Sequence, residues 1–166
     1  VGDVMDLTGE NRIFVKQGLE MLKCTRNPGL KALIECTGIN ADRLNAYHIG
    51  FVIGPCINAS GRLDTARRAL ELLNARTRRE AVMLAEDLKA LNDSRIAGII
   101  AGRLKEKYYR PVFVLTKAEE GVKGSGRSIE TYDMFAQMCR CRALFTKFGG
   151  HKLAAGLSLD EENVQR

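Results

Sequence analysis

The hydrophobic period of this chain changes once, near residue 110, and that change limits the folds open to it. Before it, apolar residues recur at three- and four-residue steps, the spacing of amphipathic helices. After it they come in short runs such as Val112-Phe113-Val114-Leu115, are interrupted by glycine, and resume between Leu153 and Leu159. Runs of that kind mark buried strands. A helical first part and a sheet-bearing second part together predict a mixed α/β (α+β) fold. The chain has no internal repeat, and its 166 residues suit one compact domain or two small ones.

Helix punctuation is legible in the first part. Residues 10–24 carry Ile13, Phe14, Leu19, Met21 and Leu22 in a roughly helical period. Asn27-Pro28-Gly29 stops that helix and starts a second, because asparagine is a good N-cap and proline fits the first helical position. Leu30, Leu33 and Ile34 share the inner face of this second helix, and Gly38 ends it. Asp42 or Asn40 is placed to cap a short third helix through Tyr47 and His48, closed by Gly50. Phe51-Val52-Ile53-Gly54-Pro55 is then apolar and broken. Asp64 is placed to cap a helix over 65–75. Thr77-Arg78-Arg79-Glu80 has the form of a capping box and opens a long amphipathic helix with Ala81, Leu84, Ala85, Leu88 and Leu91 inward.

In the second part the pattern predicts strands at Val112–Thr116, Gly121–Arg127 and Leu153–Leu159. It predicts a helix over 131–147, with Phe135, Met138 and Leu144 inward and Gly149-Gly150 as its stop, and the start of another at Glu161-Glu162.

One junction reads unnaturally. The helix that opens at Thr77 runs without a turn into Ile96-Ala97-Gly98-Ile99-Ile100-Ala101-Gly102, and its apolar face loses phase near Arg95. Taken literally this is one helix about three times the usual length. We expect residues to be missing here, with the Cα atoms of Arg95 and Ile96 farther apart than the roughly 3.8 Å of a peptide link. The chain also starts at Val1 rather than methionine, so it reads as a piece of something longer.

Apolar residues make up 45% of the chain, yet no run approaches the roughly 18 residues of a membrane helix, and no secretory signal is visible at the start. The expectation is a cytoplasmic protein without a membrane partner. The 5 cysteines form no CxxC and have no histidine at zinc-finger spacing, so they read as reduced thiols. With only His48 and His151, an all-histidine metal site is excluded. The formal net charge of +6 is compatible with a nucleic-acid partner. Its excess is concentrated in 121–152, where Lys123, Arg127, Arg140, Arg142, Lys147 and Lys152 face only Glu130 and Asp133. Elsewhere plainer roles suffice. Arg67, Arg68, Arg76, Arg78 and Arg79 read as solvated helix faces, Tyr108-Tyr109 as a helix end packed on the sheet, His48 as structural, and Met21, Cys24 and Cys36 as core filler.

Three segments combine glycine with side chains that bind phosphate. They are Gly54-Pro55-Cys56-Ile57-Asn58-Ala59-Ser60-Gly61-Arg62, Lys123-Gly124-Ser125-Gly126-Arg127-Ser128, and Phe148-Gly149-Gly150-His151-Lys152-Leu153-Ala154-Ala155-Gly156. Glycine lets a backbone approach a ligand and aim amide N–H groups at an oxyanion. Arginine offers a planar fork that matches two phosphate oxygens. Serine and asparagine add neutral donors, and histidine can donate to phosphate or take part in proton transfer. Neither GxxxxGK[ST] nor GxGxxG is present, so the ordinary nucleotide-binding folds are not supported.

The third segment resembles the GGHxxAAG signature of the DHH-associated C-terminal domain, which follows the DHH phosphoesterase domain in several phosphodiesterases. Lys123–Ser128 is similar to the KGSGRS element, and Ile57–Leu63 to the NAAGRL element, of the RecJ family of single-strand-specific 5′→3′ exonucleases. Gly2–Arg12 resembles the stretch that closes the DHH domain in that family. These four segments occur in the family's order over nearly the whole chain.

The resemblance implies a helical C-terminal end of a DHH domain over 1–75, a linking helix over 76–95, and a small α/β DHH-associated domain with a central sheet over 96–166. It implies two-metal hydrolysis of single-stranded DNA from the 5′ end to mononucleotides, using Mn2+ or Mg2+, in recombination and repair. Asp3 falls on the last metal-binding aspartate of the DHH domain. The other ligands fall outside this sequence, so no ion is expected to be held stably here. Asn58, Arg62, Ser125, Arg127, Gly149, Gly150 and His151 fall on positions that bind DNA phosphate, with Asn58 supporting Arg62 and His151 also the candidate catalytic group. Cys56 stands where the family often has arginine, and Ser60 replaces a common alanine. The family also has a strand and a histidine-containing turn that would fall at the Arg95–Ile96 junction. Single-stranded DNA is the implied partner, with a single-strand-binding protein and a helicase as pathway partners. Two other readings remain open at this point: a DHH phosphodiesterase acting on short RNA or cyclic dinucleotides, and a non-catalytic nucleic-acid-binding module.

Overall fold

The computed structural model describes every residue except 3, 4, 64, 65, 119 and 166, and the side chains of 60–63 lie outside the description. The chain forms two compact units, Val1–Asn92 and Asp93–Arg166. The first is helical: α1 (Gly9–Lys23), α2 (Pro28–Cys36), α3 (Ala46–His48), α4 (Gly54–Leu63), α5 (Arg67–Asn74) and the first part of α6 (Arg78–Tyr108).

Local chemistry accounts for the start of α2. The Asn27 carboxamide oxygen accepts from the Leu30 N–H at 3.0 Å, and its amide donates to the Leu73 carbonyl at 2.8 Å. One side chain therefore caps α2 and ties it to the end of α5. Leu33, Leu72 and Leu88 are fully buried at the centre of this unit, with Ile53 and Cys56 beside them. Cys56 is a core residue here.

Four expectations for the helical part of the chain are corrected. First, residues 46–63 form one helical run. Asn45 caps it through the Tyr47 and His48 N–H groups, while Asn40 caps a 3-10 turn at Ala41–Arg43. Gly50 does not end the run, because Ile49–Ile53 widens into a π-turn in which the Gly54 N–H reaches the Ile49 carbonyl. Pro55 falls where the hydrogen-bond ladder changes step, so its missing N–H leaves the helix intact. Secondly, Met21 is 71% exposed and Cys24 is exposed, so neither fills the core. Only Leu19 and Leu22 of α1 meet the core. Thirdly, the chain is not broken at Arg95–Ile96: α6 runs for 31 residues straight through it. Nothing between Leu88 and Ala97 is a glycine or proline that would stop it. The loss of phase is real, however. The buried positions Ala81, Ala85, Leu88 and Asn92 follow steps of three and four, and the next buried position is Ala97, a step of five. Fourthly, the Thr77 hydroxyl accepts from the Glu80 N–H at 3.3 Å, but the Glu80 carboxylate takes the Arg76 N–H, one residue earlier than a capping box requires.

The second unit holds the rest of α6, a four-stranded antiparallel sheet and α7 (Met134–Arg140). The strands are β1 (Val112–Lys117), β2 (Val122–Arg127), β3 (Lys147–His151) and β4 (Ala154–Leu159), in the order β1-β2-β4-β3. Met134 and Met138 of α7 pack with Val122, Ala155, Leu157 and Leu159. Asp133 caps α7 by accepting the Ala136 N–H at 2.9 Å.

The predicted helix over 131–147 is shorter than expected, and Gly149-Gly150 belongs to β3 instead of ending it. Two forces override the helical reading. The Phe148 ring packs at a tilt, its centroid 5.2 Å from that of Phe145 and 5.9 Å from that of Phe135, which pins the strand to the core. Gly150 sits at φ 154, where an added Cβ would lie 2.3 Å from the Ala154 carbonyl oxygen, so the β3–β4 hairpin admits only glycine there. Tyr108 and Tyr109 are 58% and 67% exposed, so the helix end is not packed on the sheet. Glu161–Gln165 is a 3-10 turn.

Candidate nucleic-acid interface

Antiparallel register places the candidate residues of the second unit on one face of the sheet. Residues paired across strands point to the same side, and every second residue along a strand does so too. Arg127 pairs with Ala154, and Ala154 with His151. One step along, Ser125 pairs with Gly156, and Gly156 with Gly149. One further step brings Lys123, Ser158 and Lys147 into line. The three rows are about 6.8 Å apart, with about 4.8 Å between strands. Lys123, Arg127 and Lys147 are cationic and none of the nine residues is acidic, so this face attracts anions.

The glycines divide between the two faces. Gly124 and Gly126 face the packed side, where an added Cβ would lie 2.6 Å from Leu115 and 2.5 Å from Phe113. They make room for the protein's own side chains. Gly149 has nothing within 4 Å of an added Cβ, and Gly156 only a backbone oxygen at 4.0 Å. This glycine pair leaves a side-chain-free floor between the Arg127–His151 row and the lysine row.

Each side chain at the floor has a distinct setting. The Arg127 Nη1 donates to the Gly126 carbonyl at 2.7 Å, and no carboxylate among the described residues pairs with this guanidinium. Three arginines of the first unit do have carboxylate partners: Arg67 pairs with Glu71, Arg68 with Asp87 and Arg78 with Glu35. His151 is exposed, and its Nδ1 accepts the Leu153 N–H at 3.3 Å. The neutral ring therefore carries its proton on Nε2, which is left to donate outward. Ser125 is 7% exposed and donates to the Ser94 carbonyl at 3.2 Å, latching β2 to α6. Gly150, on the packed side, shapes the hairpin.

Asn58 and Arg62 lie one turn apart on α4 in the first unit, so they share a helix face. Asn58 is exposed, whereas the Arg62 side chain and the whole of Asp3 fall outside the described residues. Among the described residues no group of three or more His, Cys, Asp or Glu is placed to hold a metal ion. The His48 Nδ1 accepts the Asn45 N–H at 3.2 Å, a capping role. A cleft of about 510 Å³ in the first unit is lined by Glu71, Arg79, Glu80, Met83 and Asp87 and contains none of the candidate residues. Ser158 joins the site only through register, and register is also what puts Lys147, named above for its charge, and Gly156, the end of the third segment, in their places on it. The signal for Lys123 was its two-residue spacing from Ser125 and Arg127. The same spacing of Lys147, Gly149 and His151 was hidden by reading 131–147 as helix.

An antiparallel sheet with a cationic, glycine-floored face defines an α/β module with an anion-attracting surface. The chain belongs to the DHHA1 domain family, which matches residues 80–166. Over nearly its whole length it is also similar to single-stranded-DNA-specific exonucleases named RecJ. Identity is 36% with the protein of Dickeya dadantii over 98% of this chain, and 35% with that of Escherichia coli over 99%. In each case this chain covers 36% of the relative, so it spans about a third of their length. The matched stretches hold 207 and 210 residues, against 166 here, so the relatives carry some forty residues without a counterpart. The crystal structure of RecJ from Thermus thermophilus in complex with Mg2+ superimposes with a TM-score of 0.53 at 30% identity, covering 98% of this chain and 30% of that one. A second structure of the same protein, with Mn2+, gives the same score. Among the described residues no helix is long and apolar enough to cross a membrane.

Proposed function

We propose that this chain supplies the DNA-phosphate-gripping wall of a cytoplasmic exonuclease that hydrolyses single-stranded DNA from its 5′ end to mononucleotides, in recombination and repair. The observation that carries this reading is the Arg127 guanidinium, which no carboxylate among the described residues pairs with, in one row with the outward-facing His151 on nine strand residues of which none is acidic. The Arg127 fork takes two phosphate oxygens. His151 donates from Nε2 to a third and is placed to hand over a proton there. Gly149 and Gly156 let the strand's backbone settle against the sheet, and Lys123 and Lys147 border it. Asn58 and Arg62 add phosphate contacts from α4.

Mn2+ or Mg2+, as in the related structures, would activate the attacking water and clamp the scissile phosphate. Asp3 is the one residue of this chain assigned to those ions. A single carboxylate does not hold two ions, so no step is routed through them here. The domain limits we assign are 1–75, 76–95 and 96–166, with the relatives' additional residues falling between Arg95 and Ile96. A single-strand-binding protein and a helicase are the pathway partners this role calls for.

The test is fluorescence anisotropy of this chain with a 5′-phosphorylated single-stranded oligonucleotide, titrated with salt, beside duplex and 5′-hydroxyl strands. Each lost phosphate contact lowers the log–log salt slope by about 0.7 for a single strand. Arg127→Ala is expected to weaken binding and flatten the slope by that amount. Binding unchanged in strength and slope would show generic attraction to a basic surface and overturn the assignment.

A further inference from the structure

We infer that Gly98 of α6 is a positioning residue for Arg127, the seat against which the guanidinium is held in its phosphate-binding pose. The inference rests on the function proposed above and adds to it a residue outside the three glycine-containing segments. Two contacts between helix α6 and β2 bear on this. The Ser94 carbonyl accepts from the Ser125 hydroxyl, and one helical turn later the Arg127 guanidinium lies against Gly98. A turn advances about 6 Å along a helix and two residues about 6.8 Å along a strand, so the two contacts stay in step.

Gly98 is buried. An added Cβ there would stand 2.7 Å from Arg127 Nη2, 3.4 Å from Cζ and 3.7 Å from Nη1. All three of the nearest atoms thus belong to the guanidinium, and none to backbone. Carbon–nitrogen contacts are comfortable only at about 3.5 Å, so a methyl group drives the Nη2 edge away by somewhat less than 1 Å. Besides its attachment to β2, the guanidinium has one hydrogen bond among the described residues, from Nη1 to the Gly126 carbonyl. Without a bare helix surface beneath it, the fork turns from the Arg127–His151 row. A shift of that size is enough to degrade a directed interaction, because a bidentate pair requires both N–H groups aligned with both oxygens. The displaced atoms end a flexible side chain, so the fold itself is not strained.

Gly102 supplies the control. It lies one turn further along the same helix and has nothing within 4 Å of an added Cβ. Both substitutions raise helix propensity equally, so any difference between them reports the arginine.

The experiment is a double-substitution cycle on this chain, reading oligonucleotide affinity and salt slope together with thermal unfolding. Gly98→Ala is expected to weaken binding roughly tenfold and to flatten the slope as Arg127→Ala does. Gly98→Ala/Arg127→Ala should bind no worse than Arg127→Ala alone, and Gly102→Ala should match the parent. If Arg127→Ala itself leaves binding unchanged, the proposed function fails. If Arg127→Ala weakens binding but Gly98→Ala does not, or if their effects simply add, the positioning role alone is overturned. A Gly98→Ala protein that unfolds, but refolds when Arg127 is also alanine, still reports the contact. One that is unfolded in both backgrounds refutes it.

Discussion

Two glycines on opposite faces of the sheet should answer the same substitution in opposite ways. At Gly126 an added Cβ would stand 2.5 Å from Phe113 Cε1 and 2.6 Å from Met134 Sδ, both within the packed side of the second unit. Overpacking of this kind costs about 1–3 kcal/mol, and the lower chain entropy of alanine offsets roughly 0.5–1 kcal/mol of it. Gly126→Ala is therefore expected to destabilise the second unit by about 1–2 kcal/mol. For a unit of this size that lowers the midpoint by roughly 5–15 °C. Gly149→Ala meets open space, so stability should stay within about 0.5 kcal/mol of the parent. Its methyl group rises instead from the floor beside Ser125 and Gly156, where the strand's backbone is proposed to lie. Circular-dichroism melts give the first quantity and oligonucleotide anisotropy the second. The expected pattern is lost stability at 126 and lost affinity at 149. A Gly126→Ala protein as stable as the parent would refute the assignment of that glycine to the packed face. Undiminished affinity in Gly149→Ala would refute the floor.

Two further substitutions test the first unit. Asn27→Ala removes both the N-cap of α2 and the bond to the Leu73 carbonyl, and a loss of about 1–2 kcal/mol is expected in denaturant unfolding. Asn92 is buried on α6 and its carboxamide oxygen has no partner among the described residues, so Asn92→Leu, similar in volume, should raise stability by about 1 kcal/mol in the same assay.

Much of this was legible in the sequence because the signals were local. Asn27-Pro28 acts as a cap within three residues, and Val112–Leu115 declares a strand by itself. What sequence reasoning missed depended on partners far along the chain. Gly149-Gly150 reads as a helix stop until Phe148 is known to pack against Phe135 and Phe145. Gly124 and Gly126 read as a ligand cradle until Leu115 and Phe113 are found to fill the space above them. Pro55 reads as a break because its tolerance depends on a π-turn that no residue type announces. The site follows the same rule. Residue types suggested phosphate at Arg127 and His151, but only the register of β2, β4 and β3 puts them in one row and brings in Lys147.

Helix α6 shows where local and distant signals conflict, and the conflict can be measured. Its buried positions keep a helical step from Ala81 to Asn92 and begin a new phase at Ala97, and between them no side chain is fully buried. A helix holds its middle turns chiefly through packing of one continuous stripe. The turn around Ser94, Arg95 and Ile96 has its own backbone ladder and the single Ser125–Ser94 bond, and Ile96 is 46% exposed. Local opening there forgoes the burial of about one large apolar side chain, worth roughly 1.5–3 kcal/mol. Amide exchange at residues 94–96 should then be at least about tenfold faster than at 85–88, although both lie inside one helix. Faster exchange would mark the junction as two stripes joined by continuous backbone. Uniform protection from 81 to 104 would show that α6 behaves as one cooperative element and that the change of phase carries no energetic cost.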